Sequence, residues 1–128
     1  MSDKLAQACT TINNANQNQA RQVIIRNINS VVRNFLNIMQ AYGYLDEITY
    51  INDHRVGKAV VSLNGRLNKC GAVCPRYDVQ IGEIERYRQS ILPARQFGHL
   101  IVSTSKGILD HRECIVKGTG GKVLGFFY

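Results

Sequence analysis

The sequence predicts an α+β protein of two small subdomains, the N-terminal one αβαββ and the C-terminal one mostly β with short helices. Its 128 residues suit one compact domain or two small subdomains. Helical periodicity and short strand-like runs follow one another along the chain. A basic, turn-rich connector at residues 65–71 separates two regions that differ in their pattern of predicted helices and strands. We therefore expect a first subdomain at residues 1–64 and a second, β-rich one at residues 65–128.

The first half of the chain begins with a predicted helix and a predicted strand. Four apolar residues recur at helical spacing behind a possible cap at Asp3: Leu5, Ala8, Cys9 and Ile12. This helix is expected to end in the polar run at residues 13–19. The β-branched run at residues 22–26 then predicts the first strand.

A second helix and a hairpin complete the predicted first subdomain. Ser30 stands directly before the apolar stripe of this helix, and Gly43 closes it. The stripe is expected to lie in the core. Residues 44–51 and 58–63 predict two strands joined by the polar turn at residues 52–57.

The second half of the chain begins with short elements. Residues 77–80 are expected to be extended, and residues 83–92 have the spacing of a helix that Pro93 stops. The apolar residues 100–102 predict a strand, which runs directly into a predicted loop at residues 103–107.

A brief helix and a last strand end the predicted order of elements. Asp110 is expected to cap a helix toward Lys117, and the glycine-rich residues 118–121 to end it. Residues 122–128 predict an apolar strand. We expect this strand to pair beside the preceding one, which would bring the hydroxyl-rich loop and the glycine turn close together.

The charge of the chain favours a polyanionic partner. Sixteen Lys and Arg residues stand against nine Asp and Glu residues, for a formal net charge of +7. Ten of the sixteen are Arg, which favours bidentate recognition of phosphate. Residues 1–64 carry a net charge of +2 and residues 65–128 a net charge of +5. We therefore expect the second half to bind the anion.

Catalytic patterns are weak. A Ser-His-Asp hydrolase could draw on Ser103 or Ser105, but no G-x-S-x-G elbow is present. Cys114 with His99 or His111 could form a thiol dyad, although a buried structural cysteine is the simpler interpretation. We expect no catalytic residues and keep a small Cys- or Ser-dependent hydrolase as the weaker alternative.

Motifs for cofactors, metals and membranes are also missing. Val116 and Val123 stand where a phosphate loop needs Gly and Ser or Thr. Cys70 and Cys74 lack a second matched pair, so no metal site is expected. No apolar run reaches the length of a membrane span, and residues 1–10 do not resemble a secretory signal. An intracellular protein with reduced thiols is expected.

Residues 103–107 are the most informative stretch for binding. Three small hydroxyl residues, a lysine and a glycine follow an apolar strand: Ser103, Thr104, Ser105, Lys106 and Gly107. Hydroxyl and backbone N–H groups can reach phosphates, 2′-hydroxyls and base edges, while Lys106 can displace counterions. An ordinary capping turn is the alternative interpretation.

Other candidate contacts are basic residues in loops or at the ends of elements: Arg26, Arg66, Lys69, Arg76 and Arg95. Each alone is also compatible with a solvated surface charge. Because most of them fall in the basic second half, together they favour a surface that neutralises several phosphates.

Several runs of the sequence closely resemble one family. They are residues 53–55, 65–71, 92–93, 95–98, 103–107 and 119–127. From about Leu5 to Tyr128 the chain resembles ribosomal protein eight of the small subunit, in its eukaryotic cytosolic branch. The hydroxyl-rich STSKG loop together with the later TGGKVLGFF segment carries the resemblance.

The resemblance implies a primary rRNA-binding protein of the central domain of small-subunit rRNA that supports subunit assembly. Neighbouring small-subunit ribosomal proteins are the other implied partners. No enzymatic activity, cofactor, small-molecule substrate or membrane association is implied. The implied location is the cytoplasmic ribosome, with assembly in the nucleolus if the source is eukaryotic. A non-ribosomal RNA-binding regulator built on the same domain is the alternative.

The implied rRNA contacts lie mainly in the second subdomain. They are Ser103, Thr104, Ser105, Lys106, Gly107, Gly120, Gly121 and Lys122. A second, weaker patch falls between Arg26 and Ser30 in the first subdomain. Ile115 and Val116 stand where the family is often basic. The short helix that carries them is therefore expected to contact protein or to pack inward.

Overall fold

A computed structural model of the chain describes residues 4–51, 57–73, 78–91 and 98–128. It divides into two compact units, Met1–Cys70 and Gly71–Tyr128. Each unit combines helices with antiparallel strands, which confirms the α+β prediction. Residues 65–70, expected in the second subdomain, belong to the first unit in this division.

The first unit has the predicted αβαββ order. Its elements are α1 (Lys4–Gln17), β1 (Gln22–Ile28), α2 (Ser30–Ala41), β2 (Leu45–Ile51) and β3 (Gly57–Leu63). In the part of the chain described, β3 lies between β1 and β2 and is antiparallel to both. Helix α1 packs against β1, and α2 packs against β2.

The core of the first unit comes from one face of each element. Its most deeply buried apolar side chains are Leu5, Ile12, Val32, Phe35, Leu36, Met39 and Val61. In β1, Ile25 is 2% exposed and its neighbour Ile24 is 53% exposed, as expected for a strand whose residues alternate between core and solvent. The apolar stripe of α2 is therefore in the core, as predicted.

Helix α2 shows how local sequence defines its two ends. The side chain of Asn29 accepts a hydrogen bond of 2.9 Å from the Val32 N–H, so Asn29 is the N-cap and Ser30 is the first helical residue. After the helix, Gly43 has the left-handed φ of +84°. Its N–H donates to the Gln40 carbonyl, and the Tyr44 N–H donates to the Met39 carbonyl. This pair of bonds is the glycine-terminated end that the sequence predicts.

Helix α1 ends at Gln17, within the polar run at residues 13–19 as predicted, after five residues of that run. Two asparagines of this last part bind the connector. The Asn13 side chain donates to the Cys70 carbonyl at 2.6 Å and accepts from the Cys70 N–H at 3.0 Å. The Asn16 amide donates to the Leu67 carbonyl at 2.7 Å. These bonds explain why residues 65–70 belong to the first unit.

The second unit is built on an antiparallel sheet. The first strand, β4 (Cys70–Ala72), starts at Cys70, the last residue of the first unit. The elements that follow are β5 (Asp78–Val79), a 3-10 turn (Ile81–Glu83), α3 (Ile84–Ile91), β6 (His99–Thr104), β7 (Gly107–Asp110), α4 (His111–Lys117) and β8 (Gly121–Phe127). In the described residues the strand order is β4-β8-β6-β7, with β5 also paired to β8. The predicted pairing of the last strand with the strand around residues 100–102 is confirmed.

One buried cluster of this unit combines side chains of the sheet with Ile84 of α3 and Cys114 of α4. Its other members are Val79, Leu100, Val102, Leu109 and Val123. The prediction of a loop at residues 103–107 is wrong in part, because Ser103 and Thr104 continue β6 and Gly107 begins β7. Only Ser105 and Lys106 form the turn of this hairpin. Pairing with β8 extends the strand beyond what its polar side chains suggest.

Candidate nucleic-acid interface

The hairpin of β6 and β7 presents its two turn residues to solvent. Ser105 and Lys106 are exposed, and Thr104 lies opposite Gly107 where the strands meet. The Thr104 hydroxyl donates to the Gly107 carbonyl at 2.8 Å and accepts from the Lys106 N–H at 3.1 Å. Gly107 adopts φ +113°, a value that L side chains rarely reach. The turn therefore has a narrow outline with a hydroxyl and an ammonium group at its tip.

The glycine turn lies directly beside the hairpin. In the register of β6 and β8, Thr104 faces Gly121 and Ser103 faces Lys122. A Cβ atom at Gly121 would collide with the carbonyl oxygen of Ser103. At Gly120, a Cβ atom would lie 2.6 Å from the Val79 carbonyl oxygen. Both positions require glycine, because the backbone of another segment lies too close for a Cβ atom. This close approach brings residues 120–122 next to residues 103–104 of the predicted RNA contact.

Helix α4 ends near the tip of the hairpin. The Lys106 ammonium group donates to the Lys117 carbonyl at 3.2 Å. Gly118 follows in the left-handed conformation, with φ 66° and ψ 40°, and its N–H donates back into the last turn. Lys106, Lys117 and Lys122 are all exposed. The turn carries Lys106 and is accompanied by Lys117 of α4 and Lys122 of β8, a distribution of cations that suits phosphate binding.

Buried polar side chains hold the base of the hairpin. Asp110, 1% exposed, accepts a 2.8 Å bond from the Glu113 N–H with one oxygen and lies 3.2 Å from Nδ1 of His99 with the other. His111 accepts a 3.2 Å bond at Nδ1 from the Leu100 N–H. Burial lowers the pKa of His111 to about 4, while Asp110 opposes that shift. The imidazole of His111 is thus neutral at physiological pH and binds the β6 backbone.

The same region lacks the properties of a thiol active site. Cys114 is fully buried, and burial raises the pKa of its thiol to about 11, helped by Asp110 and Glu113. Catalytic cysteines instead have a lowered pKa and some exposure. Nδ1 of His111 is occupied by a backbone bond. The structure therefore favours the interpretation of Cys114 as a structural core residue.

The candidate residues of the first unit are exposed but do not form one patch. Arg26 lies in β1 opposite Lys58, and Ser30 begins α2. Arg66 lies beyond the other end of α2, with its guanidinium 5.6 Å from the centre of the Tyr44 ring. A helix of 12 residues is about 18 Å long, which separates Ser30 from Arg66. Lys69 is also exposed, in the connector. The remaining two candidates, Arg76 and Arg95, lie outside the described residues.

The structure adds residues that the sequence did not single out. Arg112 and Lys117 are exposed on α4 beside the hairpin. The helix that carries them was predicted, but local sequence patterns do not show which other elements it lies next to. Ile115 and Val116 do not pack inward within the described structure, since they are 47% and 86% exposed.

Residues 4–51, 57–73, 78–91 and 98–128 contain no cluster of three or more His, Cys, Asp or Glu side chains placed to hold a metal ion. Across the same ranges, none of the helices combines the length and the apolar character needed to cross a bilayer.

Comparisons with a family model and with individual proteins all point to one family of ribosomal proteins. The family model described as ribosomal protein S8 matches residues 3–128. The chain is 54% identical over 127 residues to small ribosomal subunit protein uS8A of Saccharomyces cerevisiae and to uS8 of Candida glabrata, covering 99% of this chain and 98% of each relative. It is 52% identical over 124 residues to uS8 of Kluyveromyces marxianus, covering 97% of this chain and 95% of that relative.

Proposed function

Because the chain belongs to the ribosomal protein S8 family, we propose that it is a structural constituent of the small ribosomal subunit and binds rRNA through the hairpin of β6 and β7. The main support is the exposed turn of Ser105 and Lys106, flanked by Lys122. The small side chains and the glycine-dependent approach of β8 leave the tip narrow enough for an irregular RNA groove.

The RNA partner is the central domain of small-subunit rRNA, and the other partners are neighbouring small-subunit proteins. The protein acts in cytoplasmic ribosomes and, if its source is eukaryotic, joins the particle in the nucleolus. Its role is structural and not enzymatic. Hydroxyl and backbone groups of the hairpin recognise the shape of the RNA, while the cations supply affinity that does not depend on sequence.

A serine substitution tests the hairpin as the contact. Ser105→Ala is expected to weaken binding to a central-domain rRNA fragment by about threefold to tenfold, because one hydrogen bond is lost. Binding to a plain RNA duplex should change little. Filter binding at fixed salt measures both affinities, and Ser90→Ala, a change at an exposed serine of α3, is the matched control. Equal affinities of the two variants for the fragment would contradict the proposal.

Co-sedimentation separates the ribosomal role from that of a free RNA-binding regulator. A tagged copy of the full chain should sediment with purified small subunits and remain there in high-salt washes that remove loosely bound proteins. Recovery only at the top of the gradient, bound to other RNAs, would favour the regulator instead.

A further inference from the structure

A polar groove in the first unit lies where α1 ends and the chain turns into β1. Its volume is about 460 Å³, within the range of about 300–1,000 Å³ that small-molecule sites occupy. The lining residues are Asn16, Gln19, Ala20, Arg21, Leu63, Gly65, Leu67 and Asn68. All eight are described residues of this unit, and none of them is acidic.

The lining combines an apolar floor with an amide-rich rim. Leu67 is buried, and Ala20 and Leu63 are half-buried, which offers a surface for the face of a ring. Gln19 and Asn68 are exposed amides, and Asn16 uses one of its two N–H groups to hold the Leu67 carbonyl. Amides donate and accept at once, so they complement the edges of nucleobases.

Gln19 is held in an unfavourable backbone conformation at this groove. Its φ is +58°, and in the described ranges it is the one non-glycine residue with positive φ. Its N–H donates to the Asn16 carbonyl and the Ala20 N–H to the Ala15 carbonyl. This is the bond pattern that ends α2, where Gly43 occupies the equivalent position. A glutamine there costs stability relative to glycine, so its side chain is expected to have a use that glycine cannot supply.

We propose that this groove binds one unstacked nucleotide of RNA, with the base against Leu63 and Ala20, its edge on the amides of Gln19 and Asn68, and its phosphate on Arg21. The guanidinium of Arg21 and the absence of acidic side chains from the described lining favour an anionic ligand. The apolar floor beside an amide rim favours a nucleotide over an acid-rich peptide, because only the nucleotide brings a flat base with hydrogen-bonding edges. The inference rests on the proposed function, since it adds a second RNA contact to that of the hairpin.

Photo-crosslinking in assembled particles tests the ligand. The full, tagged chain carries benzoylphenylalanine in place of Gln22, an exposed residue that follows Arg21 and is not part of the lining, and small subunits are purified before irradiation. A crosslink to one rRNA nucleotide supports the inference. A crosslink to a protein, or none, overturns it. The same probe in place of Asn34, an exposed amide of α2 outside the groove, is the control and should give at least about threefold less RNA crosslink.

Gln19→Gly tests the role of the glutamine without the danger of misfolding, because glycine relieves the left-handed backbone. In the chain with the probe at position 22, this change should lower the RNA crosslink by about threefold to tenfold while incorporation into small subunits stays the same. An unchanged crosslink would overturn the assignment of the Gln19 amide to the base. A chain that never enters small subunits would instead defeat the proposed function itself.

Discussion

Gly121 is a single residue on which the pairing of two strands depends. Because a Cβ atom there would meet the Ser103 carbonyl oxygen, Gly121→Ala must separate β8 from β6. We expect a loss of about 1–3 kcal/mol in the free energy of unfolding, measured by urea denaturation. Gly82→Ala is the control, since no atom lies within 4 Å of a Cβ atom at Gly82. Equal losses in the two variants would refute this account of the glycine.

His111 makes stability depend on pH. Its pKa is about 4 in the folded chain, against about 6.5 when it is unfolded. Above pH 6.5 the His111 imidazole is neutral in both the folded and the unfolded chain, so its titration does not lower the free energy of unfolding. Between pH 6.5 and pH 4 only the unfolded state gains the proton, so the free energy of unfolding falls by roughly 2–3 kcal/mol in total. Urea denaturation at a series of pH values measures this fall.

The contribution of His111 can be separated from those of other groups by His111→Asn. The asparagine oxygen can accept the Leu100 N–H but does not titrate in this range. The variant should lose less stability than the parent chain between pH 6.5 and pH 4. Parallel curves for the two proteins would show that His111 is not the titrating group.

Sequence patterns identify candidate binding residues better than they identify which residues those candidates contact in the fold. The serine, threonine and lysine of the hairpin were recognised by their residue types, but the closeness of Gly121 to Ser103 follows from strand register, which no local pattern contains. Similarly, residue type alone allows Cys114 to be a nucleophile, and only its complete burial in the folded chain argues against that role.

At the scale of elements, the connector depends on two asparagines of α1. Asn13→Ala removes the two bonds to the Cys70 backbone and the weaker 3.5 Å bond from the Cys70 Sγ, so residues 65–70 should detach more often from the helix. Limited trypsin digestion under native conditions should then cleave after Arg66 and Lys69 about 5- to 30-fold faster, the factor that corresponds to a loss of about 1–2 kcal/mol of local stability. Asn14→Ala, at an exposed residue of the same helix, should leave the rates unchanged. Similar rates in both variants would contradict the role of Asn13.

The elements themselves were largely predictable because helical and alternating periodicity are local signals. The order αβαββ, the end of α2 at Gly43 and the cap of α4 at Asp110 followed from such signals. The main error was the loop predicted at residues 103–107, because pairing between strands keeps Ser103 and Thr104 in β6. The short strands β4 and β7 were not predicted, since three or four residues carry little periodicity of their own.

At the scale of the whole molecule, a net charge of +7 should dominate affinity for RNA. If about five phosphates are neutralised, log K should fall against log salt with a slope of about −3.5 to −4.5. Lys106→Ala should reduce the magnitude of this slope by about 1. Lys4→Ala, at an exposed lysine of α1, should not. A flat salt response, or the same change in both variants, would contradict a localised phosphate-binding surface.

Asp110 connects helix α4 to strand β6 and so makes the hairpin rigid. One carboxylate anchors the first turn of α4 and also faces His99 at the start of β6. The helix cannot tilt without losing both contacts. In the proposed contact with RNA, the hairpin is therefore preorganised before it binds. Little conformational entropy remains to be lost on association, which should slow dissociation.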